Sequence, residues 1–298
     1  MEDNPENDDG HSAGNDAVHG FMTTPGMHPY SKRRQTMKKH LHIFSIYFRL
    51  NLASALEYRA GFISQAFGMA LSNSTFIFFW WIAFGQIGGR IAGYAFEDVL
   101  FIWAVTSTGY GLSMILFANA SRLTSLIVTG ELDAFLLQPC NTLLSVLCAS
   151  TTLSAYGDLF YGFIIMSVFF AGRGAAWLWF LVGAPLLGLV LTAVILTAHT
   201  LSFYWGDASV IGAMATEFVI NFSIFPEKIY APAVRALMYS LIPVGIAVHM
   251  PLRLLGDWSP VLFALSLGGA GLYCTAACRF FYRGLRRYES GNAIVTKL

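Results

Sequence analysis

Charge is what this sequence has least of. Asp, Glu, Lys and Arg together supply 12% of its 298 residues, against about a quarter in ordinary soluble domains. A chain so poor in charge, and 56% hydrophobic, cannot clothe a water-facing globule. Its solvent is the bilayer. Net charge is only +1 and the basic residues form no single patch, which excludes nucleic acid as a partner. Cysteine is scarce too. Cys140, Cys148, Cys274 and Cys278 lack metal-ligand spacing and read as small packing residues rather than disulfide partners. Catalytic patterns are absent: there is no G-x-x-x-x-G-K-[ST] phosphate loop, no H-E-x-x-H and no visible Ser-His-Asp set. His199 and His249 stand alone and read as satisfied or interfacial histidines. No catalytic residue, metal or bound cofactor is therefore expected on this chain.

The few charges are unevenly placed. Six of the seventeen acids fall within the first sixteen residues, in "MEDNPENDDGHSAGNDAVHG", which has almost no large aliphatics to offset its ordering entropy. Residues 1–37 are expected to be a disordered acidic and polar tail. Met37 opens "MKKHLHIFSIYFRLNL", which would also serve as the head of a membrane protein, so a start at Met37 stays open. Arg49, Glu57 and Arg59 interrupt the apolar stretch and no small-residue cleavage site follows, so it is not a signal peptide.

Crossing about 30 Å of hydrocarbon takes roughly 20 apolar residues. Charge-free runs predict spans at about 61–86, 98–120, 175–200 and 258–280. Two more, at about 149–171 and 208–226, each carry one acid, Asp158 and Glu217. Residues 229–256 are apolar but broken by Pro243, Gly245 and Pro251, and a re-entrant pair of short helices fits them better than a seventh span. With six spans and a cytoplasmic N-terminus, only Arg90, Arg173, Lys228, Arg235 and Arg253 of the 18 Lys and Arg lie outside. That imbalance puts both termini in the cytoplasm. A basic, aromatic stop, "RFFYRGLRR", ends the last span, and residues 284–298 follow as a cytoplasmic tail. Ahead of the first span, residues 38–60 place Ile43, Ile46, Tyr47 and Leu50 at helical spacing among charges. They predict an amphipathic helix lying along the inner surface. The fold class is thus an all-α polytopic membrane protein.

Between spans two and three lies "GELDAFLLQP", residues 130–139, too polar to cross and too apolar for an idle loop. As a helix over about 130–138, it places Glu131 and Asp133 in the first turn, where negative charge suits the free N–H groups. Leu132, Phe135 and Leu136 fall on one face at i, i+3 and i+4. Pro139 ends it. Such a helix could rest on lipid or serve as a knob for the groove of a cytoplasmic protein.

The interfacial helix, the six spans, "TGELDAFLLQPCNTLL" and the proline-broken "FPEKIYAPAVRALMYSLIPVGIAVHMPLRLLG", taken in order over about residues 38–290, resemble an ABC-2 type transporter permease. The likeness is to the subgroup whose inner loop reads Gly, acid, hydrophobic, Asp and ends Leu-Leu-x-Pro. It implies that Glu131, Leu132, Asp133, Phe135 and Leu136 are coupling contacts to a cytoplasmic ABC ATPase subunit, in two copies, which binds ATP and Mg. A second permease, identical or related, is implied as well, in the cell (inner) membrane. The transported class expected is a hydrophobic or cationic drug-like compound moving outward, with lipid or glycan export the alternative. Asp158 and Glu217 are candidates for the substrate path, because an acid within a span is costly and normally faces protein or water. Pairing with a neighbour such as Tyr156 or Asn221 is the plainer reading. An ion-coupled secondary transporter using the two acids would more often show repeated halves and broken midplane helices, and neither is evident.

Overall fold

The computed structural model describes residues 37–57 and 59–289. The expected N-terminal tail, apart from Met37, and the last residues of the C-terminal tail lie outside the described residues. Helices are the only regular structure described, apart from an isolated bridge between Ile91 and Tyr94. The chain is α1 (Met37–Glu57), α2 (Arg59–Ile87), α3 (Phe96–Leu116), α4 (Leu123–Val128), α5 (Leu132–Leu136), α6 (Thr142–Cys148) and α7 (Ala155–Phe169). It continues with α8 (Gly174–Thr200), α9 (Ser202–Trp205), α10 (Ser209–Ile224), α11 (Pro232–Tyr239), α12 (Met250–Gly256) and α13 (Pro260–Leu285).

Four of these helical stretches, α2, α3, α8 with α9, and α13, are long and apolar enough to cross a membrane. The apolar α7 and α10 are shorter, at 15 and 16 residues, or about 22 and 24 Å at 1.5 Å per residue. Residues 149–154, expected inside the third span, are not helical. Their Ser and Thr side chains compete with the helical backbone bonds, and Thr152 instead donates its N–H to the Met114 carbonyl at 3.0 Å. Phe225, at the end of the fifth expected span, is extended because Pro226 follows it.

Two helices form the centre. Over their most apolar stretches α3 and α8 are 83% and 72% buried, whereas α2 and α13 are each 17% buried, so the latter two flank the bundle. Close packing at the centre depends on absent side chains. A Cβ on Gly111 would stand 2.7 Å from the Leu159 nitrogen and 2.8 Å from the Ala155 carbonyl, so only glycine lets α3 approach α7 there. Gly109 meets α8 in the same way, and Gly269 meets Ile246. Gly268 and Gly271, by contrast, face open space. The run "FIFFWW" likewise divides by face. Phe76 stacks on Trp103 at 4.0 Å and Trp80 and Phe84 are buried, while Phe78, Phe79 and Trp81 are exposed.

Contacts between loops sort the bundle into two ends. At one, Arg173 pairs with Glu97 at 2.5 Å, Lys228 lies over the Tyr94 ring and Trp179 stacks on Trp258. At the other, Asn119 donates to the Val146 carbonyl at 2.7 Å, and Phe203 packs on Phe281 and Tyr288. The six apolar helices therefore alternate in direction. Residues 229–256 form two short helical pieces rather than one long helix. Pro232 starts α11 at a position where its missing N–H costs nothing. The turn at Ser240–Pro243 separates it from a π-helical turn, Gly245–His249, that runs into α12 and accommodates Pro251.

Candidate functional site

The segment Gly130–Pro139 is built on a turn that only its first residue tolerates well. Gly130 has φ +78°, a left-handed conformation that other L residues rarely take, and it redirects the chain from α4 into α5. Asp133 lies in the first turn of the five-residue α5, with Glu131 immediately before it. Leu132 is fully buried among Leu123, Leu126, Ile127, Leu143, Val146 and Phe281. This corrects the expectation that Leu132 lies on the offered face: its side chain seats the helix. Phe135 packs against the same cluster and Leu136 is half-buried, whereas Leu137 is 87% exposed. The free apolar tip is therefore Leu137, a residue missed because it caps the end of α5 and lies outside the i, i+3, i+4 pattern of Leu132, Phe135 and Leu136.

The segment is clamped from two sides. Tyr47 on α1 donates to the Gln138 side-chain oxygen at 3.2 Å, and Asn51 donates to the Cys148 carbonyl at 3.0 Å. Ile46 and Leu50, expected on the apolar face of the interfacial helix, are 44% and 61% exposed, so α1 keeps apolar surface free while gripping the loop. From α13, Tyr282 donates to Asn141 Oδ1 at 3.0 Å, the same oxygen that caps α6 through the Leu144 N–H. Burial and then the neighbouring Asp133 carboxylate push the Tyr288 hydroxyl up to about 12.

Asp158 and Glu217 are placed differently from each other. Asp158 is 4% exposed, and its Oδ1 accepts from Asn73 Nδ2 on α2 at 2.8 Å. Its partner is thus Asn73, not Tyr156; the clue was a lone Asn in the apolar run "ALSNSTF". Ser107 donates to the Asp158 carbonyl at 2.6 Å. Asp158 Oδ2 is buried with no hydrogen-bond partner among the described residues, an arrangement that costs about 1–3 kcal/mol and that packing alone does not explain. Glu217 is exposed on α10 beside Met214 and Phe218, and Asn221 bonds its main-chain carbonyl rather than its carboxylate.

At the opposite end from α5 is a cluster that charge counting alone left unpaired. Glu227 is 1% exposed, contacts the Arg253 guanidinium and accepts from the Tyr239 hydroxyl at 2.5 Å. Burial pushes its carboxyl up, but the bonds from Tyr239 and Arg253 outweigh that and hold it below the usual carboxylate range. Burial and the same carboxylate raise Tyr94 to about 12. His249, beside them, bonds the Phe222 carbonyl at 3.2 Å, and His199, at the α5 end, bonds Thr124 at 2.8 Å. Both histidines are buried and hydrogen-bonded. Among the described residues no three His, Cys, Asp or Glu side chains gather as metal ligands would.

Residues 71–292 match the model of a family described as ABC-2 family transporter protein. No curated protein matches the chain.

Proposed function

The chain belongs to the ABC-2 family of transporter proteins, and on that premise we propose that it is the membrane-spanning permease subunit of an ATP-driven exporter whose ATPase is a separate chain. The family match over well more than half of the chain carries the reading, and the lack of any phosphate-loop motif supports it. ATP and Mg would bind the cytoplasmic ATPase, present in two copies, beside a second permease, identical or related. The α5 end faces the cytoplasm in this reading, in keeping with the basic residues around it. Coupling runs through Glu131, Asp133, Phe135 and Leu136, with Leu137 added as the exposed tip. Motion imposed there passes to α1 through Gln138 and to α13 through Asn141, because both are hydrogen-bonded to the loop.

All six apolar helices cross, α7 and α10 with the help of flanking backbone that is shielded by protein rather than lipid. The pieces α11 and α12 dip in from the outer face. Asp158 and Glu217 flank the transport path for a hydrophobic or cationic drug-like compound moving outward. Co-purification tests the core of the reading. An ATPase with a Walker A motif encoded beside this chain is expected to be captured by it, and Phe135→Asp with Leu136→Asp to lose that capture while still inserting. Undiminished capture and transport by the double variant would remove α5 as the coupling element. The topology has its own test. A tag after Asp257 should be reached only from outside and one after Lys297 only from inside; labelling of both from one side excludes six spans.

A further inference from the structure

The basic stop at the end of α13 does more than the sequence pattern asks of it. A positive-inside signal needs only charge near the membrane boundary, and it sets no requirement for position around the helix. Here the position is specific. Arg279, Arg283 and Arg286 recur at intervals of four and three, stand exposed on one face and, with Tyr282, line one cleft. The other faces of the same turns are occupied: Phe281 packs on Phe203, Phe280 stacks on Tyr204, and Arg287 is turned away over the Tyr204 ring at 4.9 Å. Neither ion pair among the described residues involves Arg279, Arg283 or Arg286.

The same face continues up the helix as exposed apolar surface, with Leu265 at 53%, Leu272 at 70% and Ala276 also exposed. Successive steps of seven, four, three, four and three residues keep Leu265, Leu272, Ala276 and the three arginines within one stripe of an α-helix. An apolar stripe ending in a cationic cleft at the membrane boundary matches a molecule with an acyl chain and an anionic head. Guanidinium groups, which offer paired N–H donors to phosphate oxygens, fit that head better than ammonium groups would. We propose that the cleft of Arg279, Tyr282, Arg283 and Arg286 binds the phosphate headgroup of an anionic phospholipid whose acyl chain lies along Leu265, Leu272 and Ala276. Because Tyr282 also bonds Asn141 beside α5, the lipid sits against the clamp that holds the inner loop.

Native mass spectrometry of the purified protein with added phosphatidylglycerol or phosphatidylcholine tests this. Phosphatidylglycerol should be retained about tenfold over phosphatidylcholine. In Arg279→Gln/Arg283→Gln/Arg286→Gln, with three lysines appended after Leu298 to keep the charge that orients insertion, the preference should fall to about parity. Arg283→Gln alone, a milder change, should lower it by roughly half. Equal retention of the two lipids by the unaltered protein overturns the proposal, as does a preference undiminished in both variants. Thermal stabilisation by inorganic phosphate equal to that by phosphatidylglycerol overturns it in favour of a free-anion site.

Discussion

The end of the bundle that carries α11 and α12 pairs several of its charges internally: Glu97 with Arg173, Glu227 with Arg253 and Tyr239, and Lys228 over Tyr94. The end that carries α5 is held mainly by uncharged contacts, with Thr124, His199 and Ser202 sharing hydrogen bonds at 2.7–2.8 Å and Phe203 packed between Phe281 and Tyr288, beside the one cation of Arg287 over Tyr204. Arg279, Arg283 and Arg286 are left facing outward, and so is Leu137. The contrast teaches that the two ends have different work. A cap closed on itself resists opening, while an end whose core is apolar and whose Arg279, Arg283 and Arg286 face outward outside any ion pair among the described residues can dock other molecules without first breaking such pairs.

Leu132 and Leu137 give the sharpest way to break this comparison, since they are five residues apart in one short segment and differ completely in burial. Leu132→Asp places a charge among buried apolar side chains and should cost about 4 kcal/mol, seen as a collapse of thermal stability in detergent. Leu137→Asp should leave stability within about 0.5 kcal/mol yet reduce stimulation of the partner ATPase. If the two variants behaved alike, α5 would not divide into a seat and a tip.

At the opposite end, Arg253→Gln leaves the buried Glu227 without its cation and should lower stability by about 2 kcal/mol. The pH dependence has a definite sign. The Glu227 carboxyl is held below its ordinary value in the folded chain, so its stabilisation is complete above the unfolded value and is lost as pH falls through the folded one. The unaltered protein should therefore keep this contribution until the pH drops below the usual carboxylate range, and Arg253→Gln should lose it at higher pH. Coincident melting profiles for the two proteins would show that the pair does not hold α12 in place.

The smallest effect concerns the acids. Glu217 is exposed on an apolar face of α10 and Asp158 is buried against Asn73, so Glu217→Gln should change stability little while weakening export of a cationic compound several-fold more than of a neutral one. Equal loss for both, with a lower melting temperature, would make Glu217 a structural residue.

How legible each part was follows from the range of the forces involved. Apolar runs, proline breaks and the order of features were readable along the chain, because helix formation and membrane solvation depend on residues within a turn or a span of one another. The family resemblance rested on that order, and the match over residues 71–292 agrees with it. The start of α7 was placed several residues too early, at about 149 against Ala155, and the end of α10 slightly too late, at about 226 against Ile224. There Thr152 bonds a carbonyl on α3 and Pro226 stops α10 early, and a hydropathy run registers neither event.

By itself, the sequence determined the solvent, the helical class and the segments to look at, since scarce charge and long apolar runs leave a chain in lipid no other way to satisfy its backbone. Tertiary structure alone decided which side chains are free to act. Leu132 and Leu137 are equally apolar, and Asp158 and Glu217 equally acidic. Only the packing of distant segments, Phe281 over α5 and Asn73 against α7, buries one member of each pair and leaves the other exposed. Burial is a property of neighbours brought from far along the chain, which no local pattern encodes.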